Sequence, residues 1–173
     1  MKFLSSRKKR LWKDAVRFHG KACPLLALGV RVCDTALEKL GVEDPLPGRL
    51  VCVTEFDGCC VDAIQTGLHC TAGTKHLLYY KTGKLIFTVY DLESGLSVRL
   101  CAQDGLADTI RSREPGEILA APEEKLFRFE QAHPLTPRTL QKVARTCYTP
   151  ALAIPSRAPG VQDSPDQFRR FDS

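Results

Sequence analysis

The sequence lacks any apolar segment long enough to span a bilayer as a helix, which takes roughly 20 residues. It also lacks the apolar core of a secretory signal, because the basic residues at 7–10 are followed by Trp12, Asp14 and Arg17. We therefore expect a protein that does not associate with a membrane and that lies in the cytoplasm.

A strong charge imbalance is missing as well. The chain has 25 Lys and Arg residues against 20 Asp and Glu residues, a net charge of +5, and the basic residues are dispersed after the first segment. Nucleic-acid-binding proteins instead concentrate basic residues on one face or along one helix. The composition therefore predicts no nucleic-acid partner.

Several common catalytic and binding motifs are absent too. There is no GxSxG, HExxH, P-loop or GxGxxG pattern, and no paired CxxC that would indicate a structural zinc ribbon. Cysteine itself is abundant, with eight residues in a chain of 173. Without a secretory signal, this number favours free thiols in a reducing compartment over a disulfide framework.

The spacing of apolar residues predicts an α+β fold. Helices are predicted at 7–18, 24–40 and 61–67, more weakly at 103–111, as a turn at 122–127, and from Thr136 to about Arg145. Strands are predicted at 49–56, 76–80, 84–91, 96–101 and 128–130, with a hairpin turn at 93–95. Because helices and strands alternate without strict βαβ order, the α+β class is favoured over the α/β class.

The C-terminal segment differs in composition from the rest of the chain. Four prolines and few apolar residues follow Tyr148, and such a segment packs poorly. We therefore predict one domain over residues 1–148 and an extended or disordered tail over residues 149–173.

A first candidate cluster surrounds Cys23. This cysteine precedes a helix that begins with Pro24, so its sulfur lies near unpaired backbone N–H groups and the positive end of the helix dipole, which favour the thiolate form. His19 lies four residues earlier and reaches the same point if the chain turns at Gly20. The alternative is that Cys23 is a small buried apolar residue, which is the commonest role of a free cysteine.

A second cluster lies downstream. Cys59 follows a predicted buried strand and precedes a short helix, a position at which α/β-type folds expose reactive groups. Asp62, in the first turn of that helix, is expected either to cap the helix or to orient a ligand. Cys70 begins a stretch of small residues that lets the backbone approach a ligand, while Cys60 and His69 are expected to point away from the site.

Together the two clusters predict one thiol-rich site. Such a site either binds a soft metal ion or carries out thiol redox chemistry. Cys33, Cys52 and Cys101 lie inside regular elements among apolar neighbours, and we expect them to be core residues.

Three motifs resemble those of the FmdE family, which takes its name from formylmethanofuran dehydrogenase. They are FHGKACP at 18–24 with ALGVR at 27–31, CCVDAIQ at 59–65, and CTAG at 70–73 with GKL at 83–85. The motifs occur in the family's order and at its separations. The resemblance extends over about residues 12–130.

The resemblance implies a thioredoxin-like α+β core with a mixed sheet flanked by helices. It implies a cleft that carries zinc in some members, formed here by His19, Cys23, Cys59, Asp62 and Cys70. Many members add a C-terminal zinc finger with paired cysteines. Only Cys147 occurs in that region, so the chain resembles a member that has the core domain alone.

Two positions depart from the family pattern. Lys21 stands where the family has a second histidine, and Leu25 stands where it has glycine. The charge of Lys21 would repel a metal cation and stabilise a thiolate at Cys23. We expect Lys21 and Gln65, which belongs to the second motif, to contact a bound cofactor.

These observations favour a metal-binding accessory or carrier protein that serves a redox or molybdenum enzyme. We expect its metal to be zinc, bound by His19, Cys23, Cys59 and Cys70. The alternative is a thiol-dependent enzyme with Cys23 or Cys59 as the nucleophile or redox centre and Asp62 as a further catalytic residue. A third possibility is a structural subunit whose cleft is a relic. We further expect a homodimer.

Overall fold

Helices and strands alternate along residues 4–136 and Thr139, the part of the chain that the computed structural model describes. The helices are α1 (Ser6–His19), α2 (Pro24–Leu40), α3 (Cys60–Gly67), α4 (Leu106–Thr109), α5 (Pro115–Ala120) and α6 (Glu123–Leu126). The strands are β1 (Leu50–Thr54), β2 (Leu77–Tyr79), β3 (Ile86–Asp91), β4 (Ser97–Ala102) and β5 (Phe127–Glu130). This is an α+β fold, which confirms the predicted class. None of these helices is both long enough and apolar enough to cross a bilayer.

The five strands form one mixed sheet in the order β2-β1-β3-β4-β5. β1 and β2 are parallel, and all other neighbours are antiparallel. β3 and β4 form the predicted hairpin, and its turn contains Gly95 with a φ of 74°, a conformation that glycine adopts readily. The thioredoxin-like arrangement stays a prediction.

The hydrophobic core lies between the helices and one face of the sheet. Cys52 on β1, Phe87 on β3 and Leu100 on β4 point to this face and are fully buried. α2 packs against β3, β4, α1, α3 and α5, and nearly all of its residues are buried. Each fully buried leucine contributes roughly 1.5–3 kcal/mol, so α2 is the main anchor of the helical layer.

α2 and α3 approach each other closely where Gly29 meets the backbone of Cys60. A Cβ atom at Gly29 would lie 2.5 Å from the carbonyl oxygen of Cys60 and 2.9 Å from the Cβ of Ala63. Two thiols bridge the same contact: Cys60 donates to the carbonyl of Leu25 at 3.0 Å, and Cys33 donates to the carbonyl of Ala63 at 3.3 Å. This crossing fixes the N-terminus of α3 beside the N-terminus of α2.

The other face of the sheet carries a polar network centred on Arg99. Its guanidinium donates to Glu55 at 2.7 Å, to Thr88 at 3.1 Å and to Glu130 at 3.3 Å. Glu55 is close in sequence to Cys59 but belongs to this network, so it lies away from the candidate site.

Some sequence predictions differ from the structure in the second half of the described chain. α5 was not predicted, although Pro115 occupies its first turn, where proline is favoured. The helix predicted at 103–111 begins only at Leu106, after Gly105 with a φ of 74°, and continues as a 3-10 turn at Ile110–Ser112. The helix predicted after Thr136, the domain boundary and the tail lie outside the described residues.

Candidate functional site

Three side chains converge where α1, α2 and α3 meet. A ring nitrogen of His19 and the sulfur atoms of Cys23 and Cys59 all lie within 4.8 Å of one another. His19 is the last residue of α1, Cys23 is the N-cap of α2, and Cys59 is the N-cap of α3. All three are half-buried. The structure therefore brings together members of two clusters that are distant in sequence, and we refer to them as the His–Cys–Cys cluster.

The turn between α1 and α2 positions two members of the cluster. α1 ends at Gly20, whose φ of 85° lies in the left-handed region that helix ends favour. The sulfur of Cys23 accepts a hydrogen bond from the backbone N–H of Leu26 at 3.4 Å, as the side chain of an N-cap residue does. Nε2 of His19 lies 3.8 Å from the Cys23 sulfur, so the imidazole ring faces that sulfur.

Asp62 orients the His19 ring. Its Oδ2 lies 2.6 Å from Nδ1 of His19, a distance at which a protonated Nδ1 donates to the carboxylate. Nε2 then keeps its lone pair on the side of Cys23. Capping and ligand orientation were both open for Asp62 from the sequence, and the structure shows the contact with the histidine.

Cys59 lies in an environment that opposes its ionisation. Burial raises the pKa of the Cys59 thiol, and the neighbouring Cys23 thiol raises it further. Lys21 is exposed, and its positive charge lowers this pKa by a smaller amount. Lys21 therefore lies near enough to the cluster for its charge to act on Cys59.

Cys70 is placed outside the cluster. Its side chain is fully buried in the core, and its sulfur donates to the carbonyl of Leu50 at 3.2 Å. The thiols that affect its ionisation are those of Cys33 and Cys52. The expectation that Cys70 is a fourth ligand is therefore not supported, because the chain after α3 directs this thiol under β1, where a backbone carbonyl satisfies it.

Gln65 also points away from the cluster. Its Oε1 accepts a hydrogen bond from the backbone N–H of Ala72 at 3.4 Å, so the side chain supports the loop after α3 instead of contacting a cofactor at the cluster. Cys60 is directed into the α2–α3 contact, and His69 is exposed. Both residues were expected to point away from the site.

The remaining described cysteines are core residues. They are fully buried, with no exposed side-chain surface: Cys33, Cys52, Cys60, Cys70 and Cys101. Burial raises the pKa of each of these thiols, to about 12 for Cys52. Buried thiols of this kind are inert, so the accessible thiol chemistry of the described residues is confined to Cys23 and Cys59.

One part of the site's rim was missed by sequence reasoning. Tyr79 ends β2 and shares a sheet face with Leu77, which packs in the core on the helical side. Burial and the carboxylates of Asp57 and Asp62 raise the pKa of the Tyr79 phenol, so the ring lies near the start of α3. Lys81 pairs with Asp57 at 3.0 Å beside it. The available signal was that parallel strands end at one edge of a sheet, where α/β-type folds place their sites.

The donor set of the cluster fits zinc. Imidazole nitrogen and thiolate sulfur are preferred ligands of Zn²⁺, with bonds of roughly 2.0–2.1 Å and 2.3 Å. Zinc-bound histidines usually donate their second ring N–H to a carboxylate, and Asp62 provides that contact for His19. Three protein ligands leave one coordination position for water or another ligand.

Comparison with known proteins gives two relatives. A protein of Archaeoglobus fulgidus described as "Probable S-adenosyl-L-methionine-binding protein" is 35% identical over 99 residues, and the match covers 55% of this chain. The match covers 27% of that protein, so the chain spans about a quarter of its length. The crystal structure of an FmdE-like protein of tungsten formylmethanofuran dehydrogenase from Syntrophus aciditrophicus has the same fold, with a TM-score of 0.56, 24% sequence identity and 73% of each chain covered.

A family model establishes the family directly. The model described as "FmdE, Molybdenum formylmethanofuran dehydrogenase operon" matches residues 18–140. This range contains all three members of the His–Cys–Cys cluster and the whole of the sheet. Because the match extends over well more than half of the sequence, the chain belongs to the FmdE family.

Proposed function

We propose that this protein is a metal-binding accessory or carrier protein that binds zinc through His19, Cys23 and Cys59. The observation that carries the proposal is the convergence of these three donors within 4.8 Å, together with the contact between His19 and Asp62. Membership of the FmdE family supports service to a redox or molybdenum enzyme, because the family is described by the operon of such an enzyme.

The number and position of the donors suit a carrier. Structural zinc sites are closed and use four protein ligands. The described residues supply three donors, each half-buried and located at the end of a helix. A metal ion bound there would remain accessible to a partner protein or a small ligand, as metal transfer requires.

Metal analysis tests the proposal. Reduced protein purified without air is expected to bind one zinc ion per chain, with the affinity obtained by competition with a chromophoric chelator. Cobalt substituted for zinc should give the absorption bands of a four-coordinate ion with thiolate ligands. A reduced protein that binds no zinc, or a cobalt spectrum without thiolate bands, would contradict the proposal.

Removal of the Asp62 carboxylate is expected to weaken zinc binding. Loss of the partner of a zinc-bound histidine typically lowers metal affinity by about 10–100-fold, and Asp62→Ala should fall in this range. Asp57→Ala is the matched control, because Asp57 is an exposed acid near the same helix that pairs with Lys81 instead. Equal losses in both variants would show that the effect comes from negative charge in general.

Replacement of Lys21 by histidine is expected to tighten zinc binding. The change removes a positive charge near Cys59 and restores the imidazole of the family pattern. Each tenfold gain in affinity corresponds to about 1.4 kcal/mol, which one added ligand can supply. Lys21→Ala separates the two effects, because it removes the charge without adding a ligand. If Lys21→Ala tightens binding as much as Lys21→His does, the added imidazole is not a ligand.

The partner and the oligomeric state belong to the same proposal. We propose a homodimer that works in the cytoplasm beside a redox or molybdenum enzyme. Light scattering of the full chain measures the oligomeric state. Affinity purification from its native host, with the Cys23→Ser variant as the control, tests whether an enzyme of this class is retained.

A second candidate function is supported by one specific arrangement. Asp62, His19 and Cys23 form a chain of contacts, with 2.6 Å between carboxylate and Nδ1 and 3.8 Å between Nε2 and sulfur. A cysteine paired with an oriented histidine is the arrangement of a nucleophilic thiol. In metal-free protein, His19→Asn should then slow alkylation of Cys23 by iodoacetamide, whereas Asp57→Ala should not. Unchanged rates in His19→Asn would exclude this role.

A further inference from the structure

Cys23 and Cys59 differ from every other cysteine in the described part of the chain. They are the two that are not fully buried, and their sulfur atoms lie within 4.8 Å of each other. The other five have no exposed side-chain surface, and three of them donate their S–H groups to backbone carbonyls. A reagent in solution therefore reaches a pair of facing thiols and no other described cysteine.

We propose that Cys23 and Cys59 form a reversible disulfide by exchange with low-molecular-weight disulfides. The bond would occupy two of the three donors of the His–Cys–Cys cluster, so its formation releases the metal ion. The release of metal rests on the proposed function, whereas the formation of the disulfide does not.

The geometry permits the bond with little change of the backbone. A disulfide needs a sulfur–sulfur distance of about 2.05 Å, and rotation between χ1 rotamers displaces a cysteine sulfur by about 3 Å. The sulfur atoms start no more than 4.8 Å apart. Both cysteines precede the first residue of a helix, so neither side chain is confined by a preceding helical turn.

The exchange proceeds in two displacements. The Cys23 thiol gives its proton to Nε2 of His19, and its sulfur attacks one sulfur of the small disulfide, which leaves as a thiolate and takes up a proton. The Cys59 sulfur then attacks the Cys23 sulfur of the mixed disulfide, forms the Cys23–Cys59 bond and expels the second small thiolate. Two protein thiols are oxidised, and one small disulfide is reduced to two thiols.

Peptide mapping tests the first part. Full-length protein with Cys147→Ser, which leaves only described cysteines, is stripped of metal and equilibrated with mixtures of oxidised and reduced glutathione. After acid quenching and alkylation, we expect a linked pair of peptides that contain Cys23 and Cys59, with the remaining thiols alkylated only after unfolding. Cys59→Ser should instead accumulate glutathione on Cys23. Glutathione on both residues without a linked pair, or a bond that involves another cysteine, would overturn the proposal.

A zinc arm tests the second part and separates the two ideas. Zinc-loaded protein should release its metal to a chromophoric chelator as the linked peptides appear, and reduction should restore stoichiometric binding. Retention of zinc by the disulfide form would overturn the release. If the reduced protein binds no zinc yet still forms the linked pair, the proposed function fails and the disulfide stands.

Discussion

Replacing Cys23 with serine is expected to weaken zinc binding by about 100- to 1000-fold. Zinc held by four ligands in small domains is bound with roughly 10–16 kcal/mol, so one ligand accounts for about 3–4 kcal/mol. At about 1.4 kcal/mol for each tenfold change in affinity, the loss of one thiolate gives the stated range. Competition with a chromophoric chelator under reducing conditions measures it, and Cys59→Ser should behave alike.

Cys70→Ser is the matched control for this prediction. Cys70 was a ligand expected from the sequence, but its thiol is buried and donates to the carbonyl of Leu50. A serine there keeps a donor for that carbonyl, so zinc affinity should remain close to that of the unmodified protein. A loss in Cys70→Ser as large as that in Cys23→Ser, with folding intact, would show that the metal site includes Cys70 after all.

Replacing Gly29 with alanine is expected to destabilise the fold and to disturb the metal site. Alanine normally stabilises a helix by about 1 kcal/mol relative to glycine. At this position its Cβ would lie 2.5 Å from the backbone oxygen of Cys60, and overpacking of this kind costs about 1–3 kcal/mol. The clash involves backbone on both sides and cannot be relieved by a rotamer change, so α2 and α3 must separate and destabilisation should win.

Denaturant unfolding and zinc competition measure the two effects of Gly29→Ala. Gly116→Ala is the control, because Gly116 also lies in a helix, yet a Cβ there meets no atom within 4 Å. That variant should be neutral or slightly more stable, with unchanged zinc affinity. Equal stability of the two variants would mean that α2 and α3 can separate without cost.

Local signals in the sequence were sufficient for the elements that carry the site. Pro24 marked the start of α2, and the buried run before Cys59 marked the end of β1, so the positions of both cysteines at helix starts followed from one or two neighbouring residues. Motif order then indicated that the two clusters meet. That meeting itself depends on the α2–α3 contact, which no local pattern describes.

The direction of single side chains was harder to predict. Cys70 and Gln65 follow or belong to α3, yet one enters the core under β1 and the other supports a loop. Both orientations are decided by the nearest unsatisfied backbone group, which is a property of the packed structure and not of the motif. The two roles left open for Asp62 were likewise separated only by its distance to His19.

The close contact at Gly29 also bears on how this family can diversify. The spacing of Cys23 and Cys59 is set by main chain against main chain, while Lys21 lies on an exposed turn beside them. Substitutions on that turn can therefore change the charge or the ligand number of the cleft without any rearrangement of the core. The scaffold and the chemistry of the cleft are thus separable under selection, which allows one fold to host members with different affinities for a metal.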